Sequence, residues 1–443
     1  MNVFNRNYYL AGFAALALLL FNCRQLPDEK KSLSAPKELK DLNTVFDDYE
    51  RLEKSGKHAE LAARLVEVNK DLKSAQLFVE AATLYHLANK NDSAIIMLHK
   101  AIDQGMANPT VLKKFPGLEN VENTQIQQLN LRLDSLKKVL HKISNFALET
   151  RAMDQFWPYF KKAKANPDSA RIFLKDYILE GPPEIRDYYA IRYYNLDNMY
   201  GQMINGAPEY YTYLMSHLSN DSLEGLKNKA ARAMKTFKTL YPDAVFPKVY
   251  IVPGLLNSGG TATEMGLFIG GDMYGRSASM PLQELNDWQK GAIMNMEDLP
   301  QLILHELMHF QQNYTDRERE DTVLYKVIEE GVCDFLSELS SGVPIESAQL
   351  EYLNTASNLD SLLKEFKRDL YTEDLSLWMY NGGSIEDRPA DLGYAMGYLI
   401  TKSYYRNCSD KKQCLADLLN TNDMTSILKG SEYGHILEKQ PDL

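Results

Sequence analysis

The sequence predicts a mostly helical α+β protein that contains a small antiparallel sheet. Apolar residues recur at helical spacing through residues 45–145 and again from Leu299 to the carboxyl end. Between 247 and 275 the pattern changes to two short runs, "PKVYIVPG" and "MGLFIGGDMYG", which are rich in branched and aromatic residues and bounded by Gly and Pro. Such runs predict strands, and the segment "NSGGTAT" between them predicts a loop.

The composition excludes some classes of function. The 49 basic and 60 acidic residues give a net charge of −11, which is the wrong sign for a general nucleic-acid binder. No glycine-rich phosphate loop followed by Lys-Ser or Lys-Thr occurs, so nucleotide chemistry has no support. With 443 residues, of which 44% are hydrophobic, the chain is expected to form two or three globular domains.

Residues 1–22 have the features of an export signal. Positive charge at the amino end precedes the apolar run "YYLAGFAALALLLF", which suits a signal peptide and is short for a membrane-spanning helix. Cys23 follows closely, as in bacterial lipoprotein signals, where this cysteine is lipidated; an ordinary cleaved signal or an uncleaved anchor is the alternative. The polar residues 23–44 suit a linker. We therefore expect a bacterial cell-envelope protein that a lipid anchors to a membrane, on its periplasmic or surface side.

Residues 45–118 are predicted to form a helical region. One stretch has the spacing of a tetratricopeptide repeat, namely an aromatic, a small residue, Tyr, Ala, a large apolar residue and Ala, at Phe78, Ala82, Tyr85, Ala94, Leu98 and Ala101. This resemblance implies a surface for a protein partner, while a plain helical support is the alternative. Residues 119–145 are predicted to form a connecting helix whose apolar stripe comprises Ile126, Leu129, Leu133, Leu136, Leu140 and Ile143.

Residues 146–443 are predicted to form one further domain. It begins with a tyrosine-rich stretch whose rings are expected to pack while their hydroxyls lie at the rim, namely Tyr188, Tyr189, Tyr193 and Tyr194. Cys333 lies in an apolar helical run and is expected to be a buried thiol. Cys408 and Cys414 flank "SDKKQ", and in an exported protein they could form a disulfide or stay two free thiols.

The segment "QLILHELMHFQQ", residues 301–312, carries the main functional signal. His305 and His309 are four residues apart, so both can direct an imidazole at one metal ion from a single helix face. Glu306 follows the first histidine, where a carboxylate can take a proton from a metal-activated water. With eight histidines in 443 residues, about 0.01 chance matches to His-Glu-x-x-His are expected. Two helix histidines in ordinary hydrogen bonds remain the alternative.

A second helical run, "VIEEGVCDFLSEL", supplies acidic residues that could complete the site. Glu330 and Asp334 are four apart in an apolar pattern, where carboxylates are costly to bury without partners. Glu330 could be a third ligand, and Asp334 could accept the remaining N–H of a ligating histidine. Glu329 is an alternative ligand. Gly331, which lowers helix propensity, predicts a tight crossing against the 305–309 helix.

The pair "HELMH" and "EEGVCD" resembles the gluzincin zinc metallopeptidases, with their His-Glu-x-x-His followed by Glu-x-x-x-Asp. Over roughly 145–443 the arrangement looks like the predicted zinc-dependent protease family related to gliding-motility lipoproteins. The resemblance implies a zincin-like fold and a Zn²⁺ cofactor. It also implies that His305, His309 and Glu330 are the ligands and that Glu306 is the general base. Asp334 would hydrogen-bond to a ligating histidine without touching the metal.

In such enzymes an edge strand can pair with the extended substrate, and "MGLFIGGDMYG" is the candidate, with a plain core strand as the alternative. A donor to the developing oxyanion is expected from Tyr394, Tyr398 or Arg388, although helix packing is the default role of the tyrosines.

The sequence thus predicts a lipid-anchored, exported zinc metallopeptidase that acts on a peptide or protein substrate. An envelope scaffold lipoprotein with a structural or vestigial zinc site is one alternative. A zinc-dependent hydrolase of non-peptide amides or esters is another.

Overall fold

The computed structural model describes residues 38–46, 49–118, 121, 123–218, 220–314, 319–382, 385 and 388–438. The predicted signal peptide and the lipidation site Cys23 lie outside these residues. The chain divides into two compact units, of which the first comprises Met1–Ser219 with Pro247–Leu285 and the second Asn220–Phe246 with Asn286–Leu443. In the described part of the chain, no helix is long and apolar enough to cross a membrane.

The first unit contains eleven α-helices among its described residues, most of them short. Their bounds are α1 Asn43–Phe46, α2 Tyr49–Lys54, α3 His58–Leu72, α4 Ala75–Leu87, α5 Asn91–Asp103, α6 Thr124–Leu140, α7 Arg151–Ala165, α8 Ala170–Glu180, α9 Pro183–Tyr188, α10 Leu196–Met199 and α11 Pro208–His217. Helix α4 packs against both α3 and α5. The small and apolar positions Ala82, Ala94, Leu98 and Ala101 are fully buried. The helix pair is thus as predicted, while its membership of the tetratricopeptide family stays a prediction.

Helix α6 is the predicted connecting helix. Five residues of its predicted stripe are buried, namely Ile126, Leu129, Leu133, Leu136 and Leu140. Asn123 caps its amino end by accepting a hydrogen bond from the backbone N–H of Ile126 at 2.9 Å. Residue Ile143 lies beyond the helix, in a short 3₁₀ turn.

The sheet of the first unit is mixed, so the prediction of an antiparallel sheet is wrong for part of it. Its strands are β1 Leu148–Glu149, β2 Val249–Val252, β3 Gly260–Thr263 and β4 Gly266–Gly270, in the order β1-β2-β4-β3. Strand β2 pairs with β1 and β4 in parallel, and only β3 and β4 are antiparallel. The segment predicted to be a loop provides β3, which reverses the chain before β4 and thereby makes β2 and β4 parallel.

Strand β4 does not lie at an edge of the sheet. It is hydrogen-bonded to β2 on one side and to β3 on the other, and all five of its residues are buried. Its backbone groups are therefore used within the sheet, and the expectation that "MGLFIGGDMYG" offers an edge to a substrate is wrong. The alternative, a plain core strand, describes β4.

The tyrosine-rich stretch belongs to the core of the first unit. Tyr188, Tyr189 and Tyr193 are at most 2% exposed, and the hydroxyl of Tyr189 donates to the backbone carbonyl of Lys40 at 2.8 Å. The hydroxyl of Tyr193 donates to the carbonyl of Pro253. These hydroxyls therefore pair with carbonyl groups inside the unit instead of lying at a rim. Residues 189–193 and 200–206 form two short π-helices.

The division between the units differs from the predicted boundary at residue 145. Residues 146–219 and 247–285 cluster with the amino-terminal helices. Buried hydrogen bonds join the two parts, because the side chain of Gln76 accepts from the backbone of Glu264 at 2.9 Å and Ala107 donates to the Glu264 carbonyl at 3.2 Å. Such long-range contacts leave no mark in local periodicity.

The second unit contains nine α-helices among its described residues. They are α12 Asn220–Leu240, α13 Asp287–Ala292, α14 Leu299–Gln311, α15 Val323–Ser341, α16 Ala348–Leu353, α17 Ala356–Asp369, α18 Leu392–Asn407, α19 Lys411–Asn420 and α20 Met424–Gly430. Helix α15 lies at the centre and packs against α12, α14 and α18. It ends at the predicted break, where Gly342 adopts the left-handed conformation with φ 71°.

Gly331 permits a close helix crossing, but its partner differs from the predicted one. A Cβ atom on Gly331 would lie 2.0 Å from the backbone carbonyl carbon of Gly397 in α18. The two helices therefore touch backbone to backbone at a pair of glycines, and α14 is not the neighbour that requires Gly331. On the neighbouring chain segment, a disulfide joins Cys408 and Cys414, whose Cα atoms are 6.4 Å apart.

Candidate metal centre

Helix α14 positions the two histidines and Glu306. It begins at Leu299 with Pro300 in its first turn, where the missing N–H of proline is tolerated. The helix is held by its apolar side chains, which are at most 1% exposed at Ile303, Leu304, Leu307 and Met308. The imidazole rings of His305 and His309 lie together on one face, with centroids 4.9 Å apart.

Helix α15 brings Glu330 to both imidazoles. One carboxylate oxygen of Glu330, Oε2, lies 3.1 Å from Nε2 of His305 and 3.1 Å from Nε2 of His309. Glu330 is 7% exposed. Three groups from two helices, separated by more than twenty residues in sequence, therefore lie close together.

The other ring nitrogen of each histidine has an acceptor of its own. Nδ1 of His305 is 2.8 Å from Oδ1 of Asp334, and Nδ1 of His309 is 3.0 Å from Oε1 of Gln312. The amide of Gln312 in turn donates to the backbone carbonyl of Glu329 at 2.7 Å. Because both acceptors require an N–H at Nδ1, they assign the tautomer in which Nε2 of a neutral ring carries a lone pair.

The electrostatics of the cluster favour positive charge. Burial alone would lower the pKa of His305, but hydrogen bonds to Asp334 and Glu330 outweigh it and raise the pKa well above 6.5. Against the same burial, the charge of Glu330 and its hydrogen bond raise the pKa of His309 to about 9. Burial would raise the pKa of Glu330, but the two histidines hold it well below its ordinary value. Protons or a metal cation could supply this charge.

Cys333 adds a fourth group with a donor atom. His305, His309 and Cys333 have donor atoms within 4.8 Å of one another, and this cluster could hold a metal ion. The thiol is fully buried, as predicted, and burial next to the carboxylate of Glu330 raises its pKa well above 9.0. Sequence reasoning missed Cys333 as a donor, although its position three residues after Glu330 places both on one face of α15.

Glu329 and Arg388 point to other partners. The carboxylate of Glu329 forms a 2.8 Å ion pair with Lys326. Arg388 pairs with Glu365 at 2.9 Å and donates to the carbonyl of Leu377 at 3.0 Å. These contacts make Glu329 a worse ligand than Glu330 and occupy the guanidinium that was expected to reach an oxyanion.

The predicted tyrosines lie beside the cluster and not on it. Tyr398 donates to Glu338 at 2.5 Å and also contacts Lys402. Tyr394 packs its ring against Tyr380, with centroids 6.4 Å apart. Among the hydrogen bonds described for Glu330, none comes from Tyr394 or Tyr398.

Tyr380 is the residue that sequence reasoning missed. Its hydroxyl donates to the second carboxylate oxygen of Glu330 at 3.3 Å, and its backbone has a positive φ of 56°. Non-glycine residues adopt such a φ rarely, and functional sites are enriched in them. Tyr380 lies in the irregular segment between α17 and α18, 50 residues from Glu330, so no spacing rule could have identified it.

A cavity of about 290 Å³ adjoins the cluster. Asp334, which is hydrogen-bonded to His305, forms part of its wall. The remaining lining comes from the turn before α16, from α16 and from the start of α18, at Ile345, Ser347, Gln349, Leu350, Asp391, Tyr394, Ala395 and Tyr398. The second unit thus combines a donor cluster with a neighbouring cavity.

No protein family, no curated protein and no solved structure matches this chain.

Proposed function

We propose that the protein is a zinc-dependent peptidase whose metal is held by His305, His309 and Glu330. The observation that supports this most strongly is the pair of 3.1 Å distances from one oxygen of Glu330 to Nε2 of each histidine. Two neutral imidazoles with their N–H groups at Nδ1 would direct two lone pairs at a carboxylate oxygen. Three acceptor atoms so close together need protons or a metal cation among them, and a metal cation is the case proposed here.

The donor set fits zinc. Two imidazole nitrogens and one carboxylate oxygen are the protein ligands of a common class of catalytic zinc site. Ligand atoms around a tetrahedral ion with bonds of about 2.0–2.1 Å stand about 3.3 Å apart, close to the observed 3.1 Å. We assign Glu330, not Cys333, as third ligand, because one of its carboxylate oxygens lies 3.1 Å from Nε2 of both histidines.

When bound, zinc supplies Lewis acidity, which polarises a carbonyl group and makes water a stronger nucleophile near neutral pH. Glu306, next to His305 and 7% exposed, would act as the base that takes the proton of the attacking water and returns it to the leaving amine. Asp334 and Gln312 hold the orientation of the two imidazoles. The hydroxyl of Tyr380, which donates to Glu330 at 3.3 Å, would donate instead to negative charge that develops on the substrate.

The comparison of wild type with Glu306→Gln tests this function. We expect both proteins to bind one zinc ion, while the variant loses peptide hydrolysis by orders of magnitude because it lacks the base. Glu297→Gln, the same change at an exposed glutamate before α14, serves as the matched control and should keep full activity. Equal hydrolysis by wild type and Glu306→Gln would refute the role of Glu306 as the base. If the wild type bound no zinc when zinc was supplied, the proposed zinc-dependent activity would be refuted.

A second candidate is an envelope scaffold in which the cluster only ties α14 to α15. It is favoured by the hydrogen bonds within the cluster, because protonated histidines paired with Glu330 and Asp334 could join the helices without a metal. The scaffold hypothesis predicts that the wild type hydrolyses no peptide and that Glu306→Gln binds the partner as well as the wild type does. The Cys408–Cys414 disulfide supports the proposed export in either case, since disulfides persist in oxidising compartments.

A further inference from the structure

We propose that the cavity beside the cluster binds the lysine or arginine side chain of a peptide substrate, at a position next to the cleaved bond. This inference rests on the proposed peptidase function and adds a substrate class to it. It is drawn from the size of the cavity, from the chemistry of its wall and from its place beside His305.

The cavity is large enough to take one long side chain. Pockets for drug-sized ligands usually occupy about 300–1,000 Å³, and this cavity of about 290 Å³ lies just below that range. Its wall includes Asp334, which contacts His305 at 2.8 Å. A substrate with its reactive bond at the cluster could therefore place a neighbouring side chain in the cavity.

The wall combines apolar surface with negative charge. Ile345, Leu350 and Ala395 offer apolar atoms, against which the methylene groups of a lysine or arginine could pack. Two carboxylates, Asp334 and Asp391, face the same cavity. A long side chain that is apolar along its stem and positive at its tip matches this arrangement.

Asp391 is the carboxylate that lacks a cationic partner. Its Oδ1 accepts a hydrogen bond from the backbone N–H of Asn381 at 2.8 Å. Among the described residues, no lysine or arginine forms an ion pair with Asp391. Burial raises the pKa of this carboxyl, a cost that a bound cation would offset.

The other charges near the cavity are already neutralised. Asp334 is shared with His305. Lys402, which contacts the hydroxyl of the lining residue Tyr398, forms a 2.7 Å ion pair with Glu338. The balance at the cavity is therefore negative because of Asp391. The ring of Tyr394 could add a cation–π contribution, whereas that of Tyr398 already has the ammonium group of Lys402 at 4.8 Å from its centroid.

The test uses the zinc-loaded full chain and a peptide library, in which mass spectrometry locates the cleaved bonds. Matched peptides are then made with arginine or with citrulline, its uncharged near-isostere, at each position beside the cleaved bond. At one position we expect kcat/KM for arginine to exceed that for citrulline by roughly 10–100-fold, as for hydrogen bonds to charged groups.

Asp391→Asn should bring this ratio close to one, because it lowers kcat/KM for the arginine peptide. The backbone of Asp391 is left-handed, with φ 58°, and asparagine tolerates this conformation, so the fold should be kept. Asp360→Asn, the same change at an exposed site on α17, is the matched control and should keep the preference.

Binding separates this inference from the peptidase function. The zinc-loaded Glu306→Gln protein should bind a fluorescent arginine peptide more tightly than its citrulline partner, and adding Asp391→Asn should abolish the difference. If wild type hydrolyses both peptides equally, or prefers glutamate, the pocket assignment is overturned while the peptidase function stands. If no peptide is hydrolysed but the Asp391-dependent binding preference is found, the pocket stands and the peptidase function falls.

Discussion

Replacing Gly331 by alanine should both destabilise the second unit and weaken metal binding. Alanine favours a helix over glycine by about 1 kcal/mol. Against this, the new Cβ would lie 2.0 Å from the carbonyl carbon and 2.4 Å from the Cα of Gly397, both of which are backbone atoms. Overpacking usually costs about 1–3 kcal/mol. Because backbone atoms cannot move aside as a flexible side chain can, this case lies at the upper end, and we expect a net loss of about 2 kcal/mol or more.

The same displacement should reach the cluster, because Gly331 follows Glu330 on α15. Helices α15 and α18 would have to separate by more than 1 Å to restore ordinary contact distances of about 3.4 Å. That movement would shift Glu330 relative to both imidazoles, so zinc affinity should fall in Gly331→Ala.

Urea denaturation followed by tryptophan fluorescence measures the stability, since Trp288 and the fully buried Trp378 belong to the second unit. Gly225→Ala is the matched control, because it lies within α12 of the same unit and a Cβ there would meet no atom within 4 Å. It should stabilise by about 0.5–1 kcal/mol. If Gly331→Ala stabilises the unit as Gly225→Ala does, the close helix crossing is wrong.

Three further predictions concern the cluster and the buried carboxylates. Glu330→Gln should lower zinc affinity at least about 100-fold, while Cys333→Ser should keep the wild-type affinity; a competitive zinc titration measures both. If Cys333→Ser lost the affinity and Glu330→Gln kept it, the thiol would be the ligand. Tyr380→Phe should keep zinc and lower kcat about 10–100-fold, and unchanged kcat would remove its hydroxyl from catalysis. Burial raises the pKa of Asp187 from 3.8 to about 6, so the folded state should lose stability as pH rises through this range. Asp187→Asn should therefore gain stability over wild type at pH 7.5 but not at pH 3.5, which denaturation at the two values would check.

The sequence predicts more of the candidate site than of the fold around it. The four-residue spacings in "HELMH" and between Glu330 and Asp334 fix helix faces, and the structure brings these faces together. Gln312, Cys333 and Tyr380 were missed. Gln312 and Cys333 lie within the two segments that carry the predicted ligands, residues 301–312 and "VIEEGVCDFLSEL". Tyr380 reaches the cluster from a loop whose path no local pattern encodes.

Long-range pairing explains the errors in the fold. The two strand segments were recognisable from their composition, but whether they run parallel depends on β3, a glycine- and threonine-containing segment that resembles a loop. In the same way, Gly331 in a helical run predicted that another helix crosses at short distance. The identity of its partner, Gly397, depends on how three helices are arranged. Local patterns thus identify elements, and tertiary contacts decide their neighbours.

The most direct test is a crystal structure of the zinc-loaded full chain with anomalous scattering recorded at the zinc edge. We expect one peak, about 2.0–2.2 Å from Nε2 of His305, from Nε2 of His309 and from a carboxylate oxygen of Glu330. A peak bonded to Cys333 in place of Glu330, or no peak in zinc-saturated crystals, would contradict the account.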